Sequence, residues 1–284
     1  MSLVLNTNVA SLIAQRNLTK NSLAVRGSFE KLSSGLRINR AADDAAGLSI
    51  SETLKTQIRG NQKCVANAQD GVNILQIAEG ALGVIADNLQ RIRELTIQGA
   101  NDTNSTTERT AIKLEVQSRL DDINRIARST RSSNIYLLDG SRSTYMLQVG
   151  PNSTATQNTI DVGRVLATAT AGALSLTSTV TVGAGGVFEN NTSCRNFLDD
   201  LDVALIRIAD RRAQLGALQN RLESTIESIS IALENLKSTN SRIRDLDIAS
   251  ESAEMTKNQI LQQSALSVLA QANQAPTLAL QLLQ

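Results

Sequence analysis

Histidine is absent from this chain of 284 residues. That removes serine–histidine and cysteine–histidine nucleophilic catalysis, together with every metal site that needs an imidazole. The other groups that could do chemistry are few. Cys64 and Cys194 are isolated, so neither a zinc motif nor a disulfide framework can be drawn from them, and Cys64 reads as a small packed residue. Asp43 and Asp44 form a carboxylate pair that could hold a metal or share a proton, but no third ligand lies near. Capping is the better reading, with either aspartate accepting from the first turn of a following helix. No catalytic, cofactor or metal site is assigned, and an enzyme is the least supported class.

The most regular feature is an apolar seam. Steps of three and four from Leu198 pick out Leu201, Leu205, Ile208, Arg212, Leu215, Gln219, Leu222, Ile226, Ile229, Leu233 and Leu236. A 3.5-residue repeat kept this long predicts a helix with one narrow sticky face, roughly 58 Å long at 1.5 Å per residue. Two predicted helices could cover that face. One spans about 45–99 and carries Leu54, Ile58, Asn61, Val65, Ala68, Val72 and Leu75. After a three-residue slip it continues with Ala78, Leu82, Ile85, Leu89 and Ile92, and Gly80 and Gly83 read as points where another backbone comes close. The other, about 107–130, presents Ile112, Val116, Leu120, Ile123 and Ala127 behind a cap at Ser105 or Thr106. Leu75, Leu82, Leu89, Leu205, Leu215 and Leu222 are the expected bundle core.

From Ser132 the texture becomes Ser, Thr, Gly and β-branched. Tyr145–Val149 and Thr159–Val162 read as a hairpin joined through a Gly-Pro-Asn-Ser turn. Residues 167–186 read as loop, with a short strand at Thr179–Val182. Further helices are expected at both ends, over about 3–34 and 244–284. The first closes on Gly35 as a left-handed cap, and the last is broken at Pro276. The fold class is therefore mainly α: an elongated helical bundle or coiled coil with paired N- and C-terminal helices and a small β-hairpin region mid-chain. We divide it into an inner coiled-coil domain (1–44 with 240–284), a bundle with the hairpin (45–172 with 196–239) and a short loop (173–195).

Net charge is +1, which argues against nucleic acid as a partner. Residues 1–40 nevertheless carry Arg16, Lys20, Arg26, Lys31, Arg37 and Arg40 against Glu30 alone, while 241–284 is slightly acidic. That asymmetry suits the two ends meeting. One narrow seam per terminal helix can hardly offset the entropy of ordering it, so the ends either dock on the bundle or order against other copies. Heterologous contacts of the second kind, repeated, give a filament. The expected interface residues are Leu5, Val9, Leu12, Leu18, Phe29, Leu32, Ile260, Leu266, Leu269 and Leu282. Neither a transmembrane run nor a signal peptide's basic start and apolar block is visible, so composition alone reads as cytosolic.

Three long segments carry a resemblance. Leu5-Asn-Thr-Asn-Val-Ala-Ser-Leu12 with Ala14-Gln-Arg-Asn-Leu18, the stretch Leu32-Ser-Ser-Gly-Leu-Arg-Ile-Asn-Arg-Ala-Ala-Asp-Asp-Ala-Ala-Gly-Leu48, and Ser264-Ala-Leu-Ser-Val-Leu-Ala-Gln-Ala-Asn-Gln-Ala-Pro276 resemble bacterial flagellin. The resemblance covers about 1–165 and 196–284. It implies a structural subunit that polymerises into the extracellular flagellar filament for motility, with itself and with other flagellins. Paired end helices would form an inner tube, with the bundle outside it and the family's outer domains reduced to the short middle. It also implies export through the flagellar type III apparatus without a cleaved signal, which replaces the cytosolic reading. Hook-associated junction and cap proteins would bound the polymer, and a cytoplasmic chaperone would hold the C-terminal segment. Leu89, Arg91, Glu94 and Leu95, with Glu115 on the next helix, resemble the segment contacted by the host Toll-like receptor that senses flagellin. The tail Leu278–Gln284 resembles the leucine-rich end read by cytosolic immune sensors, but finishes in Gln where many relatives have Arg. A hook–filament junction protein and a non-polymerising secreted adhesin or immune ligand are the alternatives.

Overall fold

The computed structural model describes residues 7–176, 187–188 and 191–281, with the backbone alone from 275 onward. Leu5, Leu282 and the expected strand Thr179–Val182 lie outside the described residues. In order, the elements are α1 (Val9–Ser34), α2 (Ala45–Gly99), α3 (Thr106–Ser129), β1 (Arg131–Ser132), β2 (Ile135–Tyr136), β3 (Met146–Gln148), α4 (Ala155–Asn158), β4 (Thr159–Asp161), α5 (Asn191–Arg244) and α6 (Ile248–Gln281). The strands form two antiparallel pairs, β1 with β2 and β3 with β4. Two compact units result, one of residues 59–233 and one of residues 1–58 with 234–284, and α2 and α5 contribute to both.

In the unit of residues 59–233, α2 supplies the longest buried row: Asn61, Cys64, Ala68, Gly71, Leu75, Ala78, Leu82, Ile85, Leu89 and Ile92. These alternate steps of three and four without interruption, so the expected slip does not exist. It arises from following Val65 in place of Cys64, and Val72, which is also buried, in place of Gly71. Gly71 is small where the β3–β4 hairpin lies close. A Cβ added to Gly71 would stand 2.5 Å from Leu147 Cδ1 and 3.3 Å from Leu222 Cδ1. Gly71→Ala is thus expected to lose about 1–3 kcal/mol, read as a lowered midpoint in urea. Gly80 and Gly83 do not mark the close approaches expected of them: a methyl group added at either would meet nothing within 4 Å.

Opposite this row, α3 buries Ile112, Val116, Leu120, Ile123 and Ala127. Ser105 closes its N-terminus as a capping box with Glu108, each side chain accepting from the other's backbone N–H. On α5 one fully buried row is Leu201, Ile208, Leu215 and Leu222, one per heptad. The alternate row is not Leu198, Leu205, Arg212 and Gln219, as the apolar reading had it. Phe197 and Ala204 are buried, Arg211 is half-buried, and Leu198 and Leu205 only flank the core. Arg211 turns inward because its guanidinium donates to the carbonyls of Ala167 and Thr168 at 3.2 and 2.6 Å. Its stem packs while its head satisfies loop backbone. Over its described residues 167–176 that stretch has neither helix nor strand, yet Ala169, Ala171, Leu174 and Leu176 are all buried, with Leu166 just before it.

Helix α5 starts at Asn191, before residue 196, where the second half of the bundle was expected to begin. The added turn buries Cys194, whose thiol donates to the Val187 carbonyl at 3.2 Å. Burial pushes both cysteine thiols above their usual range, which keeps them protonated and unreactive.

Candidate assembly surface

The other unit is built from the chain ends. Asn8 caps α1 by accepting from the Ser11 N–H at 3.1 Å. Gly35 ends it at φ +69, a left-handed position that favours glycine, with its N–H on the Lys31 carbonyl. The chain then crosses the junction between α5 and α6. Leu36 and Asp245 form an antiparallel bridge, flanked by Arg37 N–H to Arg244 O at 2.7 Å and Leu246 N–H to Gly35 O at 3.1 Å.

The carboxylates singled out from sequence are engaged at this turn. Asp43 accepts from the backbone of Asn39 and Arg40 at 3.0 and 2.9 Å, contacts that hold its carboxyl below the usual range. Asp44 caps α2 at Gly47 N, 2.9 Å away. Nearby, the buried Arg244 reaches Glu52 at 2.7 Å, and its guanidinium, with Lys55, lowers the Glu52 carboxyl. Helix α6 begins at Ile248, after a break, with Asp247 accepting from Ala249 N and Ser250 N at 3.0 and 3.2 Å.

Helices α1 and α6 pack antiparallel. Besides the bridge at Leu36, the Asn8 side-chain amide donates to Ala272 O at 2.8 Å and the Ser11 hydroxyl to Asn273 Oδ1 at 2.8 Å. Their facing positions keep strict three–four spacing: Ser11, Ala14, Leu18, Asn21, Val25, Ser28 and Leu32 on α1, and Glu251, Met255, Asn258, Gln262, Ala265, Leu269 and Ala272 on α6. Nine of these fourteen positions are small or polar, and Leu18, Val25, Leu32, Met255 and Leu269 are the large apolar ones. Other large side chains lie exposed on the backs of the two helices: Val9, Leu12, Leu23 and Phe29 on α1, and Ile260, Leu261, Leu266 and Val268 on α6. Phe29 is 67% exposed and Leu23 60%.

Of the residues expected at a filament interface, Val9, Leu12, Phe29, Ile260 and Leu266 are exposed, while Leu18, Leu32 and Leu269 are half-buried inside the pair. Sequence reasoning missed Leu23, which falls outside the seam it followed. The expected charge complementarity is absent: among the described residues no ion pair joins α1 to α6, and Glu30 pairs locally with Arg40 at 2.7 Å.

On the unit of residues 59–233, the five receptor-like residues divide. Arg91 and Glu94 are exposed and Glu115 is half-buried, and the three are linked, with Arg91 donating to Glu94 at 2.9 Å and to Glu115 at 3.5 Å. Leu89 and Leu95 are buried, so the expectation that they share this surface is corrected: Leu89 lies on the inward row of α2 and Leu95 joins the core just past its end. Of the expected core leucines, Leu75, Leu82, Leu89, Leu215 and Leu222 are fully buried and Leu205 partly so. Beside them Arg93 holds Asp202 at 2.7 Å, joining α2 to α5 and lowering the aspartate's carboxyl.

Exposed apolar faces on helices that bury little between themselves are the surface of a subunit, and the comparisons with known proteins say of what. Residues 5–143 match the bacterial flagellin N-terminal helical region and residues 198–283 the C-terminal helical region. The flagellin of Halalkalibacterium halodurans is 41% identical over 282 residues, covering 99% of this chain and all of that protein. The flagellar filament 33 kDa core protein of Treponema phagedenis is 38% identical over 289 residues, covering 99% of this chain and all of that one. A solved structure described as a putative flagellar hook-associated protein from Vibrio parahaemolyticus shares the fold, with a TM-score of 0.53 over 72% of this chain and 98% of that one, at 15% identity. That likeness extends to the fold alone, whereas the identity to flagellins runs nearly end to end. The chain belongs to the bacterial flagellin family, and it is a structural, non-enzymatic subunit of the extracellular flagellar filament.

Proposed function

We propose that this subunit polymerises through the backs of α1 and α6. The observation that supports this is the exposed apolar back of each helix: nine of the fourteen facing positions are Ser, Ala, Asn, Gln or Glu, while Leu, Ile, Val and Phe side chains stand exposed on the other side. Such a pair gains little by closing on itself and much by being covered. Because the α1 back and the α6 back are different surfaces, the α1 back of one copy lies on the α6 back of the next. A heterologous contact of this kind repeats rather than closes in a dimer. The inner domain is formed by 1–44 with 240–284. Removing residues 1–30 is expected to leave the melting transition of the bundle in place and to abolish polymer in sedimentation and electron microscopy. Normal filaments from that truncated chain would refute the assignment.

Family membership supports the remaining partners. The chain is exported through the flagellar type III apparatus without a cleaved signal, held beforehand by a chaperone at its C-terminal segment. In the filament it is bounded by hook-associated junction and cap proteins. Arg91, Glu94 and Glu115 form the part of the receptor-like segment that a host Toll-like receptor can reach on the folded unit.

A further inference from the structure

Pro276 lies inside α6, where a break was expected, and the helix nevertheless runs on to Gln281. Proline has no N–H, so the carbonyl four residues earlier, that of Ala272, loses its helical donor. The side-chain amide of Asn8 donates to that carbonyl at 2.8 Å. The orientation of this amide is fixed by its other contact, because Oδ1 accepts from Ser11 N at 3.1 Å and leaves Nδ2 facing α6. Asn8 thus starts one helix and replaces a missing hydrogen bond in the other, with Ser11 Oγ to Asn273 Oδ1 beside it at 2.8 Å.

We propose that Asn8 and Pro276 form a matched latch that sets the register of α6 on α1 at the open end of the pair. At the far end the Leu36–Asp245 bridge already fixes the register. Between the two lies a seam in which nine of fourteen facing positions are small or polar, too few large side chains interlocking to hold the register alone. Proline makes the latch specific. In a continuous α-helix every interior carbonyl is occupied, and only the one opposite a proline stands open to a neighbouring chain. Asn8 therefore recognises one carbonyl in α6, and it aligns the outward apolar rows for the next subunit. Asn8 is a positioning residue.

The test is a double-mutant cycle on the full-length chain, reading the critical concentration for seeded polymerisation. Asn8→Asp and Asn8→Ser both retain a capping oxygen and both remove the amide donor. With Pro276 in place, each is expected to raise the critical concentration about fivefold, the loss of one hydrogen bond of about 1 kcal/mol. In the Pro276→Ala background the restored N–H at 276 occupies the Ala272 carbonyl, and the same Asn8 substitutions are expected to change the critical concentration by less than about 1.5-fold. Equal effects in the two backgrounds would reduce Asn8 to a simple helix cap and overturn the latch. So would no effect with Pro276 present, or a rise confined to the Asp variant, which would mark an effect of charge.

Discussion

With aspartate in place of both Leu215 and Leu222, the unit of residues 59–233 is expected to be unfolded at room temperature. Both leucines have no exposed surface, and they occupy successive heptad positions where α5 faces α2. A carboxylate there either stays charged without a partner or takes up a proton, and either way it costs several kcal/mol. Two such sites exceed the roughly 5–15 kcal/mol by which domains are stable. Leu222 is also a neighbour of Gly71 at the hairpin, so the damage reaches the β3–β4 layer as well as the helices. Far-UV circular dichroism against temperature reads the result. The expected outcome is loss of the cooperative transition, and an unchanged melting curve would contradict the placement of α5 as the spine of this unit. The corresponding alanine variants are milder, at about 2–5 kcal/mol each, and should keep a transition shifted downward.

The second large effect is on assembly with little change in the monomer. Glutamate at Leu12, Leu23, Ile260 and Leu266 replaces side chains that are at least half exposed in the subunit. Substitutions at such positions normally move stability by no more than about 0.5 kcal/mol, so the monomer should melt as before. In a filament that covers these backs, each charge would be desolvated without a partner at roughly 2 kcal/mol or more. Even two of the four then raise the critical concentration more than about 100-fold, and all four should leave the protein in the supernatant after high-speed sedimentation. Pelleting at the wild-type concentration would show that the exposed rows are not the contacts.

Much of the fold is readable from residue types. The three bundle helices, the hairpin and the Gly35 cap follow from periodicity and turn chemistry, because those signals depend on neighbours a few positions away. Other features depend on residues far off in the chain. The inward row of α2 escapes a hydrophobicity pattern at Cys64 and Gly71 because such a pattern discounts small residues, and the smallness of Gly71 matters only once Leu147 is known to lie against it. The inward turn of Arg211 depends on loop carbonyls more than 40 residues away in the chain. Charge predicts the pairing of the ends, but α1 and α6 meet through backbone and amide contacts instead. Following large apolar residues also places Leu18, Leu32 and Leu269 with Leu12 and Phe29 as a single interface class. In the structure the first three sit in the row where α1 and α6 face each other, and the other two point away from it. Pro276 looks like a helix stop because its compensation comes from Asn8, at the opposite end of the chain.

If the backs of α1 and α6 are the contacts between subunits, an image reconstruction of the assembled filament, at a resolution that shows side chains, tests it most directly. The expected result is that Leu12, Leu23 and Phe29 of one subunit are buried against Ile260, Leu261, Leu266 and Val268 of its neighbours, with the Ser11–Leu32 row still facing α6 of the same chain. Those apolar rows lining water, or α1 and α6 parted to pair through different faces, would contradict it.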